Sequence, residues 1–269
     1  MQDAQLYAKI KCMDIPLIFE DDSLLVINKP AGITVNRAET TKNETTIQDW
    51  AEKKLGIKNH ELGIIEQKKF GDEGWDPRFD FYKRGGIVHR LDKETSGILI
   101  IAKTPEVFVH IQNQFKERKV KKTYVALAHG IIKPQEGEIN VPVGRLPWNR
   151  NRFGILPGGR ESKTLYKVLS YYQTPNSSEK LSFIELYPQS GRTHQIRVHL
   201  KYINHPIFSD FLYAGRKTAR ADRNVLPRVF LHAAKVSFTH STTGKLVSYE
   251  ALLTKQLDDF LKFLEKVTV

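Results

Sequence analysis

The stretch Gly85 to Gly97, GGIVHRLDKETSG, is where side chains able to do chemistry crowd most closely, because Asp92 follows His89 and Arg90 directly and stands at the mouth of an apolar run. A carboxylate placed there is costly to bury alone, so a cation must attend it, either from its neighbours or from elsewhere in the chain. An acid kept ionised in that way can act as a nucleophile or a base. The same string also reads as a structural ion pair, and the pattern by itself leaves both open. Other chemistries are absent from the sequence: there is no Gly-x-Ser-x-Gly elbow, no P-loop, no dinucleotide fingerprint, and no Glu-rich or His-x-His cluster at metal-ligand spacing.

The elements that must position Asp92 are legible around it. Gly97 to Lys103 (GILIIAK) predicts a buried strand, and Thr104-Pro105-Glu106 caps a helix that turns Phe108, Ile111 and Phe115 inward. Upstream, Leu24 to Asn28 predicts a strand ending in the Lys29-Pro30-Ala31-Gly32 turn. Thr45 with Gln48 reads as a capping box for a helix carrying Ile47, Trp50, Ala51 and Leu55, stopped by Gly56. Downstream, strands are expected over 123–128, 165–169, 183–187, 229–238 and 245–252, the last two joined by a turn at Ser241 to Gly244. A helix is expected over 193–202 and a last amphipathic one on Leu257, Phe260, Leu261 and Leu264. Helices decorate the sheet rather than alternate with it, which argues an α+β fold.

The chain has 269 residues, 40% of them hydrophobic and 27% charged, an ordinary globular balance that excludes wholesale disorder and a disulfide-stapled miniprotein. No window approaches the roughly 18 apolar residues of a membrane span, and a lone Cys12 points to a reducing compartment, so a cytoplasmic protein without membrane partner is expected. Forty-two Lys and Arg against 30 Asp and Glu leave a formal charge of +12. The excess is gathered in 116–122, 145–163, 192–201 and 216–228. The second and fourth, rich in Gly, Pro and Asn, read as exposed loops able to follow phosphates, and Trp148 and Phe153 sit among the arginines of the second. A polyanionic partner is therefore expected.

Four blocks in order complete the picture: Val26 to Val35 (VINKPAGITV), His89 to Gly97 (HRLDKETSG), Lys122 to Gly130 (KTYVALAHG) and Ser190 to Leu200 (SGRTHQIRVHL). Together they resemble the motifs of the RluA-type pseudouridine synthases, over about residues 15 to 253. The resemblance implies a pseudouridine synthase fold, with a mixed, mostly antiparallel sheet flanked by helices and a central active-site cleft. It implies Asp92 as nucleophile, Tyr124 over the target base, and Arg197 paired with Asp92. Arg90 matches the arginine that helps displace the flipped base. His89, Lys29, Arg192 and Ile196 lie in the same motifs and are carried as candidate substrate contacts, with Arg145, Arg150, Arg152 and Arg160 on the basic loop as the RNA track. No cofactor and no metal are implied.

The expected layout is an N-terminal extension over 1–14, a catalytic domain over 15–255 with an insertion or loop at 58–84 and a basic RNA-binding loop at 144–163, and a C-terminal helix over 256–269. The partner is structured RNA, ribosomal or transfer, with no protein partner and a monomeric state expected. The competing reading is a noncatalytic RNA-binding protein that retains the fold. Where the family often has Gly-Asp-x-x-Tyr-Gly, this chain has Ser209-Asp210-Phe211-Leu212-Tyr213-Ala214, which puts a loop bordering the substrate in doubt.

Overall fold

Leu24, Leu25, Val26 and Ile27 are wholly buried, and so are Leu99, Ile100 and Ile101 facing them, which makes one antiparallel ladder the centre of the first part of the chain. Strands with no polar face need cover on both sides. The computed structural model describes residues 13–41, 44–57, 79–149, 152–175 and 179–269. These form two compact units, and the chain passes between them several times: one holds residues up to Lys93, Gly97–Val120 and Ser237–Ala251, the other Glu94–Ser96, Lys121–Val236 and Leu252–Val269.

In the first unit, β1 (Leu17–Glu20), β2 (Leu24–Lys29) and β3 (Ser96–Ala102) pair in that order, antiparallel throughout. Helix α1 (Ile47–Leu55) buries Ile47 and Ala51, and α2 (Phe79–Lys83) sets Phe81 edge-on to Phe108 of α3 (Pro105–Lys116), with ring centroids 6.0 Å apart. The capping box of α1 is Thr46 with Asp49, one residue beyond the expected Thr45 and Gln48, because Thr46 has the extended backbone that lets its hydroxyl meet the Asp49 N–H. Thr104 caps α3 with Pro105 in its first turn, as expected. The part of the 58–84 segment before Phe79, and residues 1–12 of the N-terminal extension, lie outside the described residues.

In the second unit, β4 (Lys121–His129) pairs antiparallel with β9 (Lys180–Pro188), which pairs with β8 (Lys163–Gln173); β5 (Glu136–Asn140) and β12 (Glu265–Val267) both add to β8. Strand β10 (Leu231–Thr239) begins here beside β4 and ends in the first unit, where β11 (Leu246–Glu250) pairs with it. Ala126, Leu127, Leu181, Ile184 and Leu186 form the core with α4 (Gln195–Tyr202) and with Leu257 and Phe260 of α6 (Lys255–Phe263). The antiparallel α+β expectation holds. The expected C-terminal helix over 256–269 is corrected: it ends at Phe263, and Glu265–Val267 is strand, because its backbone groups find partners on β8. Two further corrections concern basic loops. The 144–163 segment is largely built: β6 (Val143–Arg145) and β7 (Phe153–Ile155) form a hairpin, and Arg160 closes back on Val143. The 216–228 segment begins with helix α5 (Arg216–Arg223), which buries only Ala219 and Asp222 and so shows little apolar periodicity.

An ionic knot with a buried histidine at its centre anchors α5. His129 Nδ1 lies 2.5 Å from Glu179 Oε1 and its Nε2 lies 3.0 Å from Asp222 Oδ2. Burial pushes the imidazole down, but the hydrogen bonds and charges of Asp222 and Glu179 outweigh it and hold the group up at about 9, against an ordinary 6.5. A histidine raised in the fold stabilises fully below its unfolded value and loses that contribution as pH climbs through the folded one. The stability difference between wild type and His129→Gln, followed by urea unfolding, is therefore expected to shrink from pH 6.5 towards pH 9. A difference that stays level over that range would mean that the imidazole carries no charge in the fold.

Candidate active site

The backbone before Asp92 is forced. Gly86 has φ of 74°, and a Cβ there would fall 2.3 Å from the Ala102 carbonyl, so only glycine lets the chain lie against β3. The Gly86 carbonyl accepts from Ala102 N–H at 2.8 Å, and His89 Nε2 accepts from Ile100 N–H at 3.1 Å. His89 thus serves as a ladder partner for β3, with its ring 5.0 Å from that of Phe115. Its Nε2 is engaged with backbone, and the ring is half-buried. Leu91 is buried, Asp92 half-buried and Arg90 exposed. Arg90 therefore has the freedom its expected role requires, and it lies near enough to Arg84 for its charge, after burial, to help push that guanidinium's pKa down.

Lys29 is corrected more sharply. It has no solvent exposure, and its Nζ donates to the carbonyls of Pro30 at 2.8 Å, Ile33 at 2.9 Å and Lys93 at 3.2 Å. An ammonium has three protons, and three carbonyls take them. Lys29 cannot reach RNA from there. It ties the Lys-Pro-Ala-Gly turn to the residue after Asp92, and Gly32 N–H reinforces this by donating to the same Lys93 carbonyl at 2.8 Å.

In the second unit, Tyr124 stands on β4 opposite Leu186, half-buried against the core. Lys122, two residues earlier and so on the same face, donates to the Ser190 carbonyl at 3.1 Å, and burial pushes its ammonium down to about 8. Ser190 in turn donates to Gln195 Oε1 at 2.7 Å, and Gln195 also accepts from Arg192 N–H and donates to Lys163 O and Thr164 Oγ1. That knot sets the start of α4. The helix opens at Gln195 rather than Thr193, because His194 takes a left-handed φ of 56° just before it.

Arg197 on α4 is 6% exposed and Asp210 is wholly buried. The guanidinium grips the carboxylate with two parallel bonds, Nε to Oδ2 at 2.7 Å and Nη2 to Oδ1 at 2.8 Å. Asp210 also accepts from the N–H groups of Leu212 and Tyr213. The Arg197 guanidinium lies over the Tyr213 ring, 5.1 Å from its centroid, and the Tyr213 hydroxyl accepts from Phe153 N–H at 3.0 Å and meets His194 Nδ1 at 2.8 Å. Arg152 stacks on the same ring at 5.4 Å and donates to Leu212 O. The β6–β7 hairpin and the Arg197 helix are thus joined through one phenol. In the sequence Asp210 stands out only as part of a departing motif; its Asp-x-x-Tyr spacing is the signal that could have found it. Ser209, where the family often has glycine, adopts φ of 63° and steadies it by donating its hydroxyl to Leu226 O at 2.6 Å.

The remaining candidates sort by exposure. Ile196 is in the hydrophobic core, an apolar side chain on the inward face of α4. Arg145 and Arg160 are exposed, Arg145 with its guanidinium 5.2 Å from the Phe153 ring centroid, and Trp148 at the hairpin is 76% exposed. Arg150 lies outside the described residues. The Nε of Arg152 and of Arg192 is enclosed without an acceptor among the described residues. Among these residues no cluster of His, Cys, Asp and Glu is arranged to hold a metal ion, and no helix is long and apolar enough to cross a membrane.

Residues 23–202 match the family model described as RNA pseudouridylate synthase. The chain is 36% identical over 259 residues to ribosomal large subunit pseudouridine synthase D of Neisseria meningitidis serogroup B, covering 94% of this chain and 62% of that protein. It is 32% identical over 254 residues to an RNA pseudouridine synthase of Bacillus subtilis, YlyB, covering 94% and 74%. It thus spans less than two thirds of the first of these relatives. Among solved structures, human RNA pseudouridylate synthase domain containing 1 superposes with a TM-score of 0.67 at 23% identity, over 95% of this chain and 90% of that one, a likeness of fold.

Proposed function

The chain belongs to the RNA pseudouridylate synthase family, and from that premise we propose that it isomerises uridine to pseudouridine in RNA, with Asp92 as nucleophile, Tyr124 at the base and Arg197 as the guanidinium that supports the carboxylate. The observation that carries the reading is that the matched span holds all three residues. Each stands on a rigid element or beside one: Asp92 next to β3, Tyr124 on β4, Arg197 on α4.

The reaction breaks the bond between N1 of uracil and C1′, turns the base, and forms a bond between C5 and C1′; C5 gives up its proton and N1 ends protonated. A carboxylate suits the covalent step only when ionised, and a positive environment keeps it so. A phenol lying on the base can take the C5 proton or orient its removal. The base cannot react while stacked, so it must leave the helix, and exposed Arg90 is the group proposed to fill its place. Large-subunit ribosomal RNA is the proposed substrate, on the similarity to the Neisseria protein of that name. The test is direct: transcripts of large-subunit ribosomal RNA and of transfer RNA, each carrying tritium at C5 of uridine, are incubated with the protein. Release from the ribosomal transcript is expected; release only from transfer RNA would replace the substrate, and release from neither would remove the activity.

RNA is proposed to run along the β6–β7 hairpin, where Arg145 and Arg160 offer exposed charge and Trp148 an exposed ring for stacking. Arg152, held on Tyr213, is there for architecture as well as charge. Replacing Arg145 and Arg160 together with alanine is expected to weaken RNA binding at low salt and to lower the slope of log K against log salt by up to about two, one for each phosphate no longer neutralised. Single-turnover chemistry on saturating RNA should persist. An unaltered slope would move the RNA track away from the hairpin.

A further inference from the structure

Residues Glu94–Ser96 belong to the second unit, although Lys93 before them and Gly97 after them belong to the first. This short intrusion begins two residues beyond Asp92, and its side chains are held at both ends. Arg223, at the end of α5, grips Glu94 with Nη2 at 2.9 Å from Oε1 and 2.6 Å from Oε2, while its Nε donates to Ser209 O at 3.2 Å. The same guanidinium lies 5.7 Å from the centroid of the Phe211 ring. Ser96 is wholly buried, and its hydroxyl accepts from Arg228 Nη2 at 2.9 Å and meets His232 Nδ1 at 2.8 Å.

Arg228 is the unusual member. It is buried, and its hydrogen-bond acceptors are neutral: Ser96 Oγ, Thr254 Oγ1 and the carbonyls of Val229 and Leu231. Burial pushes its guanidinium down to about 10, with the charge of Glu94 opposing. An apolar side chain would fill that space without the desolvation cost. What an apolar side chain cannot do is fasten three separate runs of the chain, at Ser96, at Val229–Leu231 and at Thr254. The proposed chemistry assigns Arg228 nothing, and one of its bonds, to Ser96 Oγ, ties the segment that follows Asp92 to the other two runs.

We propose that Arg223 and Arg228 are positioning residues for the Asp92 carboxylate, acting through Glu94 and Ser96. The inference rests on the reading of Asp92 as nucleophile. Two residues span at most about 7 Å of chain, and the one between, Lys93, has its carbonyl fixed by Lys29 and Gly32. Asp92 therefore has restrained backbone immediately after it. A reacting group displaced by about 1 Å can lose on the order of a hundredfold in rate, so the restraint acts on the chemical step and leaves RNA affinity alone.

The experiment compares wild type, Glu94→Ala, Arg223→Ala, the double variant and Ser96→Ala on the tritiated large-subunit ribosomal transcript, with amide hydrogen exchange of the 88–95 segment followed in parallel. Each single variant is expected to lose about tenfold or more in single-turnover rate with RNA affinity unchanged. The Glu94 and Arg223 losses should not multiply in the double variant, since they break one link. Exchange in 88–95 should quicken in every variant. Rates within twofold of wild type, losses confined to affinity, or unchanged exchange would overturn the positioning role. A wild type that releases no tritium would instead bring down the function itself, and the exchange data would then judge only whether the loop is held.

Discussion

Asp92→Asn is expected to lower turnover by at least about a thousandfold while leaving RNA affinity in place. Asparagine matches the shape of aspartate but brings neither a nucleophilic oxygen nor a charge, so what the variant removes is the covalent step. The surrounding structure predicts that the substitution is tolerated. Asp92 is half-buried, and the backbone beside it is fixed by bonds that Gly86, His89 and Lys29 make to main-chain groups, which a change of the Asp92 side chain leaves in place. Thermal unfolding should therefore stay near that of wild type, and binding to the ribosomal transcript should be retained. That combination separates an enzyme from a noncatalytic RNA-binding protein with the same fold, for which the substitution changes nothing measurable. Turnover persisting in Asp92→Asn would shift the nucleophile to another residue.

What can be read in the sequence, and what cannot, divides along the line between local and long-range causes. The buried strand at Ser96–Ala102 and the Thr104-Pro105 start of α3 are written in a few adjacent residues, and both appear where the pattern predicts them. Helix α4 is legible from Ile196, His199, Leu200 and Ile203 at helical spacing, but its first residue depends on the left-handed turn at His194, which no periodicity reveals. Helix α5, Arg-Lys-Thr-Ala-Arg-Ala-Asp-Arg, reads as a loop in the sequence because its inward face is small and polar. It is held by Asp222 on His129 and by Arg223 on Glu94, partners 93 and 129 residues distant. The surroundings of the site candidates share this cause. A lysine in a motif looks like a phosphate contact until three carbonyls are found around its ammonium, as for Lys29. Ile196 differs from a pocket residue only in which way its helix faces. Motif resemblance locates a residue along the chain, and burial then decides what that residue touches.

Breaking the Arg197–Asp210 pair is expected to have the second large effect. Neither group can be hydrated where it lies, and Asp210 satisfies four donors: two from the guanidinium and the N–H groups of Leu212 and Tyr213. Removing one member of such a pair leaves the other charged and enclosed, so Asp210→Ala should cost about 3–5 kcal/mol of unfolding free energy. Replacing both, Arg197→Met with Asp210→Leu, removes both charges and should return part of that stability; the return is incomplete because the N–H groups of Leu212 and Tyr213 lose their acceptor. Activity should not return with it. The guanidinium that the proposed mechanism requires is gone, and Tyr213 keeps only Arg152 of the two cations that lie over its ring. The milder Asp210→Asn keeps the shape of the acceptor but lets Arg197 turn, and should lower the single-turnover rate by on the order of a hundredfold with RNA affinity retained. Stability and turnover would then part company across the three variants, which is the signature of a charge pair kept for where it aims Arg197. If the double replacement restored turnover along with stability, Arg197 would be a packing residue and another cation would have to attend Asp92.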